Sequence, residues 1–247
     1  MIKIENVVTP SSEQWKEIII GTRSPMNSWG RSDSFCDPIM DNCNDCPDLG
    51  KCAYIFEQGG KPYRSEIGPK DQDLLMRLAK GGPVHAKYRR MIVVYVTITA
   101  PLYWWKEFDT YKVGTVANSC STMHKIHEKE FTFDDFSHEK LINSACMEIQ
   151  EQHIRISPIQ ALATTIECLN SYRDLYLQTK DKKYWWQMIQ LLPSSYNQRR
   201  TIMMNYEVLA NMYKSRKDHK LDEWREFCKW IKELPYSELI TGKVEEE

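Results

Sequence analysis

Residues 192–224 read LPSSYNQRRTIMMNYEVLANMYKSRKDHKLDEW, and this stretch combines a strand with the start of a helix. Pro193 closes the helix that precedes it, because proline cannot continue a helix. The run from Arg199 to Asn205 (RRTIMMN) is suited to a strand, and Tyr206 to Arg216 returns to helical periodicity. The stretch therefore predicts a mixed α/β segment.

Polar side chains mark the same stretch and make it a candidate ligand site. Asn205 stands at the predicted helix start, and Asn211 and Arg216 follow along the helix. Asn211 and Arg216 are separated by about 140° around the helix axis, given 3.6 residues per turn. They would therefore approach a ligand from two sides rather than from one stripe.

Outward from this stretch the chain is dominated by helices and shows no regular βαβ alternation. Further helices are predicted at 13–20, 70–80 and 102–112, from Pro158 onward, at 184–192, and from Leu221 to Leu234. Further strands are predicted at 1–8 and 91–99. No internal repeat divides the chain, so a single domain over residues 1–247 is expected.

Composition excludes several classes of protein. The 247 residues carry 33 Lys and Arg against 34 Asp and Glu, a formal net charge of −1. A chain this close to neutral has no general electrostatic attraction to nucleic acid or to anionic membranes. No apolar run approaches the roughly 20 residues that cross a bilayer, and the first residues lack a signal-peptide pattern. We therefore expect a cytoplasmic protein.

Four cysteines crowd into one Cys-rich segment at about residues 30–60. Cys36, Cys43, Cys46 and Cys52 have the spacing C-x6-C-x2-C-x5-C. In a reducing compartment the central C-x2-C indicates a metal knuckle, either a structural zinc site or an iron–sulfur cluster. The alternative is a set of reduced cysteines in an ordinary loop. With metal, four thiolates would close the coordination shell and leave no catalytic position.

The other four cysteines have no such spacing. Cys168 and Cys228 lie on or beside apolar helix faces and are expected in the core. Cys120 lies in a polar turn, a setting in which a thiol can react, and Cys146 has no metal-ligand spacing with another cysteine.

The segment from Ala100 to Lys125 ends in a run of small hydrogen-bonding residues. Such a run offers many donors to a polar ligand, or else its side chains cap their own loop. Its members are Thr115, Asn118, Ser119, Ser121 and Thr122.

The C-terminal stretch resembles the C-terminal half of the flavin-dependent thymidylate synthases. The matching residues are Leu192-Pro193, Met204-Asn205, Asn211, Ser215-Arg216 and Glu223-Trp224. A looser similarity extends the resemblance over about residues 67–239, with the Cys-rich segment as an insertion. The resemblance implies an α+β fold, a helix-rich domain with a small, mostly antiparallel sheet.

The resemblance also implies an activity, which is C5 methylation or hydroxymethylation of a deoxyuridine-type nucleotide. The cofactor would be FAD, with NADPH and methylenetetrahydrofolate as co-substrates, and the assembly a homotetramer. Arg216 matches the arginine that contacts and activates the pyrimidine base, and Ser121 matches a substrate-binding serine. The residues that match cofactor-binding positions are His85, Lys112, Thr115, Asn118, Asn205 and Asn211.

The family's R-H-R signature is altered in this chain. It falls on Thr110-Tyr111-Lys112, so that only Lys112 keeps a cation there. A nucleotide phosphate still needs donors, and His124, Lys125, Arg199 and Arg200 are available.

Three functional hypotheses follow. The first is the flavin-dependent enzyme, and the second is a non-catalytic nucleotide-binding or regulatory protein on the same fold. The third is a metal-knuckle interaction module, although the aspartates around its cysteines would repel nucleic acid.

Overall fold

A four-stranded antiparallel sheet forms the centre of the molecule. The computed structural model describes residues 2–34, 67–149 and 154–242. The sheet contains β1 (Lys3–Val8), β2 (Val93–Pro101), β3 (Thr115–Ser119) and β6 (Asn197–Asn205), in the order β1-β2-β6-β3. Two short strands, β4 (Met147–Ile149) and β5 (Ile154–Ile156), pair separately.

Helices make up most of the remaining described chain. They are α1 (Ser12–Arg23), α2 (Pro69–Lys80), α3 (Leu102–Phe108), α4 (Pro158–Thr179), α5 (Lys182–Leu191), α6 (Tyr206–Arg216), α7 (Asp222–Lys232) and α8 (Glu238–Thr241). Capping explains several of these starts: Ser11 and Ser157 each form a capping box at the start of α1 and α4, and Asn205 caps α6. The predicted fold class, a helix-rich α+β domain with a small antiparallel sheet, is confirmed.

One face of the sheet is packed against an aromatic core. Val94, Val96 and Ile98 of β2 are fully buried, as are Ile202 and Met204 of β6. Trp104 of α3 and Trp224 of α7 belong to the same cluster, with ring centroids 4.8 Å apart. Burial of large aromatic surfaces is a major source of stability, so this cluster fixes α3 and α7 against the sheet.

A second hydrophobic cluster holds the helical hairpin of α4 and α5. Leu162, Ile166 and Leu169 of α4 pack with Met188 of α5 and with Phe131 of the preceding loop. Asn170 fastens that loop through two hydrogen bonds to the backbone of Phe131. This cluster positions the segment that follows β3.

The polar run at 115–122 differs from the expected loop. Thr115 to Ser119 form β3, an edge strand whose backbone pairs with β6. Pairing with a neighbouring strand satisfies the backbone groups of this run, which sequence propensity alone does not reveal. Ser121 and Thr122 follow the strand as a turn.

The described residues on the two sides of segment 35–66 meet at one buried point. Asp71 accepts hydrogen bonds from Nε of Arg23 at 2.5 Å and from the hydroxyl groups of Ser32 and Ser34. The backbone N–H of Gly68 donates to Oγ of Ser34 at 3.0 Å. Residues 34 and 68 are therefore held together, as expected for the two ends of an insertion.

Cys36, Cys43, Cys46 and Cys52 lie outside the described residues, and among the residues that are described no group of His, Cys, Asp or Glu side chains is arranged to hold a metal. In the described ranges no helix combines the length and apolar character needed to cross a membrane.

Candidate functional site

Arg216, at the C-terminal end of α6, is held in one orientation by two hydrogen bonds and two aromatic rings. Its Nε donates to the hydroxyl of Tyr111 at 2.9 Å, and its Nη1 donates to Oε2 of Glu107 at 2.6 Å. The guanidinium lies 4.9 Å from the ring centroid of Trp224 and 5.6 Å from that of Tyr111. Such charge-assisted and cation–π contacts fix a planar side chain.

Glu107 is the centre of this arrangement. Its Oε2 also accepts a hydrogen bond from Nε1 of Trp224 at 3.0 Å and lies 3.4 Å from Nε2 of His219. The Nδ1 atom of His219 accepts the backbone N–H of Leu221, which places the ring proton on Nε2, facing Glu107. Oε2 of Glu107 therefore contacts Arg216, Trp224 and His219.

The turn at residues 109–114 connects this network to Asn205. Gly114 has φ +85°, and a Cβ at this position would lie 2.8 Å from Nδ2 of Asn205. Oδ1 of Asn205 caps α6 by accepting the N–H of Val208 at 3.0 Å. Thr115 donates its hydroxyl proton to the carbonyl of Tyr111 at 2.6 Å. Thr115, Asn205 and Arg216 are thus all in contact with one turn, which also carries Lys112.

The other predicted site residues are not joined to this group by hydrogen bonds. His85, Lys112, Asn118 and Asn211 are exposed, and the described residues supply none of them with a hydrogen-bonding side-chain partner. Ser121 accepts the backbone N–H of His124 at 2.9 Å, so its hydroxyl oxygen stabilises a turn.

Arg200 and Lys125, two of the donors considered for a phosphate, are engaged elsewhere. Arg200 donates to Asp109 at 2.6 Å and lies 4.2 Å from the ring centroid of Trp105. Lys125 forms an ion pair with Glu128. A phosphate at this site would have to compete with these carboxylates.

Sequence reasoning missed Glu107 and the role of Tyr111. A signal was present, since Tyr103, Glu107 and Tyr111 recur at intervals of four, a spacing that aligns side chains along α3 and the turn after it. Tyr103 donates its hydroxyl proton to Glu223. Burial, together with this carboxylate, raises the pKa of Tyr103, so the phenol stays protonated.

Comparison with known proteins yields matches among solved structures. No protein-family model and no curated protein sequence matches the chain. The flavin-dependent thymidylate synthase ThyX from Helicobacter pylori, in complex with FAD and dUMP, is similar with a TM-score of 0.58 and 14% identity over 98% of both chains. A second structure of that protein with FAD and dUMP gives a TM-score of 0.57 and 13% identity over 98% of both chains.

A related match is the UMP/dUMP methylase PolB from Streptomyces cacaoi, bound with 5-Br dUMP. Its TM-score is 0.52 and its identity 12%, over 98% of this chain and 94% of that one. Similarity at this level of identity is evidence of fold and leaves function to the site itself. The chain therefore has the fold of the flavin-dependent thymidylate synthases, the family that its C-terminal motifs resemble.

Proposed function

We propose that this protein is an enzyme that methylates, or hydroxymethylates, carbon 5 of a deoxyuridine-type nucleotide with FAD and a folate. The observation that carries the proposal is the arrangement of Arg216. Its Nε and Nη1 atoms are bonded to Tyr111 and Glu107, and Nη2 finds no acceptor in the described part of the chain. A fixed guanidinium with one unused edge is suited to the carbonyl oxygen of a pyrimidine.

Arg216 would activate the pyrimidine ring by electrostatics. A donor that is already oriented stabilises negative charge on a carbonyl oxygen without reorganising during the reaction. The ring centroids of Tyr111 and Trp224 are 6.0 Å apart, so both rings lie on the same side of the guanidinium and shield that side from water. Partial exclusion of water strengthens its interaction with that charge.

The predicted cofactor residues have side chains of the kinds that a flavin requires. The amides of Asn118 and Asn211, which have no side-chain partner among the described residues, suit the carbonyl and N–H edge of the flavin ring, and Lys112 suits a diphosphate oxygen. Thr115 and Asn205 would bound the same site through the turn at 109–114, and His85 would lie at its edge. When bound, FAD reduced by NADPH would supply hydride, and methylenetetrahydrofolate would supply the one-carbon unit.

The proposal also includes the assembly of several subunits. Tyr95 and Val116 lie opposite Met203 on neighbouring strands and are 52% and 57% exposed. This apolar strip on the open face of the sheet supports the expected homotetramer. Light scattering would measure the mass of the assembly.

We also expect the four cysteines of the insertion to bind a structural zinc ion or an iron–sulfur cluster.

Tritium release from 5-tritiated dUMP tests the activity. Protein reconstituted with FAD, NADPH and methylenetetrahydrofolate should release tritium and show the absorption spectrum of a bound flavin. Arg216→Lys keeps the charge but loses the planar fork, so it should lower the rate at least tenfold. Nucleotide binding without any tritium release would contradict the enzyme and favour the regulatory alternative.

A further inference from the structure

Among the described residues, two polar atoms of the Arg216–Glu107 pair have no hydrogen-bonding partner, and they lie on side chains that are hydrogen-bonded to each other. Nη2 of Arg216 is a donor, and Oε1 of Glu107 is an acceptor, and neither atom meets a hydrogen-bonding group within the ranges that the structure describes. The two side chains keep 19% and 34% of their surface exposed. The pair therefore offers a donor and an acceptor together to a ligand.

Oε1 of Glu107 is oriented by three contacts that the other carboxylate oxygen, Oε2, makes. Oε2 receives Arg216 at 2.6 Å and Trp224 at 3.0 Å, and His219 lies at 3.4 Å. Rotation of the carboxylate would remove the acceptor from all three donors at once. Oε1 is consequently held in place as an acceptor.

We propose that Glu107 determines the specificity of the site for a uracil-type base, by accepting the N3–H while Nη2 of Arg216 donates to the adjacent carbonyl oxygen. This inference rests on the proposed function and names its substrate class. The imide edge of uracil presents a donor next to an acceptor, which is the complement of the Arg216–Glu107 pair.

Cytosine fails this complementarity at the decisive atom. Its N3 carries a lone pair, which would face the lone pairs of Oε1, and a polar group left unpaired in a site is costly. Cytosine could satisfy the pair only by presenting its exocyclic amino group to Glu107. That register shifts the ring by one position, so carbon 5 and the attached sugar phosphate both leave the places they occupy in a bound uracil nucleotide. We therefore expect dCMP to bind more weakly than dUMP.

The substitution Glu107→Gln reverses this preference. The three donors on Oε2 require an oxygen there, so the glutamine amide must turn its NH2 group toward the ligand. An NH2 group opposes the N3–H of uracil and matches the N3 lone pair of cytosine. The variant should therefore bind dUMP more weakly and dCMP more tightly than the unmodified protein.

Isothermal titration of the full-length, FAD-loaded protein with dUMP, dCMP and N3-methyl-dUMP tests the inference. We expect the unmodified protein to bind dUMP at least tenfold more tightly than dCMP or N3-methyl-dUMP. In Glu107→Gln the ratio of dUMP to dCMP affinity should fall at least tenfold. Glu226→Gln, whose carboxylate pairs with Lys229 on the surface of α7, is the matched control and should keep the original ratio.

The outcomes separate this inference from the proposed function. Equal affinity of the unmodified protein for dUMP and N3-methyl-dUMP would overturn the role of Glu107 and leave the proposed function standing. An unchanged dUMP to dCMP ratio in Glu107→Gln, with a melting temperature near that of the unmodified protein, would do the same. A protein that binds no nucleotide would overturn both.

Discussion

Gly114 lies directly against Asn205, and this contact joins the turn after α3 to the start of α6. A Cβ at Gly114 would stand 2.8 Å from Nδ2 of Asn205, closer than real Cβ atoms approach. The backbone of Gly114 also has φ +85°, a conformation that side chains disfavour. The position therefore requires glycine for two independent reasons.

Gly114→Ala should destabilise the protein more than a comparable glycine substitution elsewhere. Gly82 has φ +89° but no described atom within 4 Å of a Cβ, so Gly82→Ala measures the backbone cost alone, about 1–2 kcal/mol. Gly114→Ala adds the displacement of the Asn205 side chain, and we expect a further loss of about 1 kcal/mol. Urea denaturation of both variants measures the difference. Equal free energies of unfolding would show that Asn205 moves aside without cost.

Asn205 can be tested as a cap and as a ligand residue with two substitutions. Asn205→Ala removes the acceptor for the N–H of Val208 and should cost about 1 kcal/mol of stability. Asn205→Ser keeps a good cap, so its free energy of unfolding should stay close to that of the unmodified protein. If Asn205 also binds flavin, Asn205→Ser should lose FAD affinity while remaining stable. Retained FAD affinity, measured by fluorescence titration, would assign Asn205 a capping role alone.

Local signals in the sequence were sufficient for most elements of the fold. The capping box at Ser157 and the glycines after Lys80 are encoded within a few residues, so α4 and α2 begin or end where predicted. The strand at 115–119 could not be found in this way. Its backbone groups are satisfied by β6, some eighty residues later in the chain, and of its five side chains only Thr115 and Val116 favour a strand.

Only part of the candidate site can be predicted from the sequence, because its other residues are distant in the chain. Arg216 is found from the motif around it, but its partners Glu107 and Tyr111 are more than a hundred residues away. The sheet and the aromatic core bring Arg216 next to Glu107 and Tyr111. No local sequence pattern encodes a contact between residues so far apart in the chain. The sequence predicts a ligand role for Asn205, and the structure shows that its side chain caps α6.

The buried pair Arg23 and Asp71 should make stability depend on acid pH. Burial raises the pKa of Asp71, but hydrogen bonds from Ser32, Ser34 and Arg23 outweigh it and hold the pKa below the ordinary value of 3.8. A carboxylate with a lowered pKa contributes stability above that ordinary value, and the contribution disappears as pH falls through the lowered pKa. We therefore expect the free energy of unfolding to decline below about pH 4.

Asp71→Asn isolates this contribution. At pH 7 the variant leaves the guanidinium of Arg23 buried without its counter-ion and should lose about 3 kcal/mol. The difference from the unmodified protein should shrink as pH is lowered from about 5 to 2, because protonation then neutralises Asp71 in both states. Asp73→Asn, which breaks an exposed pair with Arg77, is the control and should change stability by less than about 0.5 kcal/mol. A difference that stays constant with pH would contradict the role of Asp71.

Metal removal tests the insertion. If the four cysteines bind metal, elemental analysis should find a stoichiometric amount of zinc or iron, and Cys46→Ser should lose it. Because Arg23, Ser34 and Asp71 close the two ends of the segment independently of any metal, we expect the chelated protein to keep its far-ultraviolet circular dichroism. Metal-free protein with cysteines that all react at once would support the ordinary loop.

The described cysteines should differ in reactivity according to burial. Burial raises the pKa of the Cys228 thiol to about 11, so its thiolate is scarce at pH 8, whereas Cys120 and Cys146 are exposed. Brief treatment with iodoacetamide, followed by peptide mass spectrometry, should modify Cys120 and Cys146 and leave Cys228 unmodified until the protein is unfolded. Peptide mapping is required because the cysteines of the insertion also compete for reagent. Modification of Cys228 at the rate of Cys120 in native protein would mean that α7 separates readily from the core, contrary to the packing of Trp224 and Phe227.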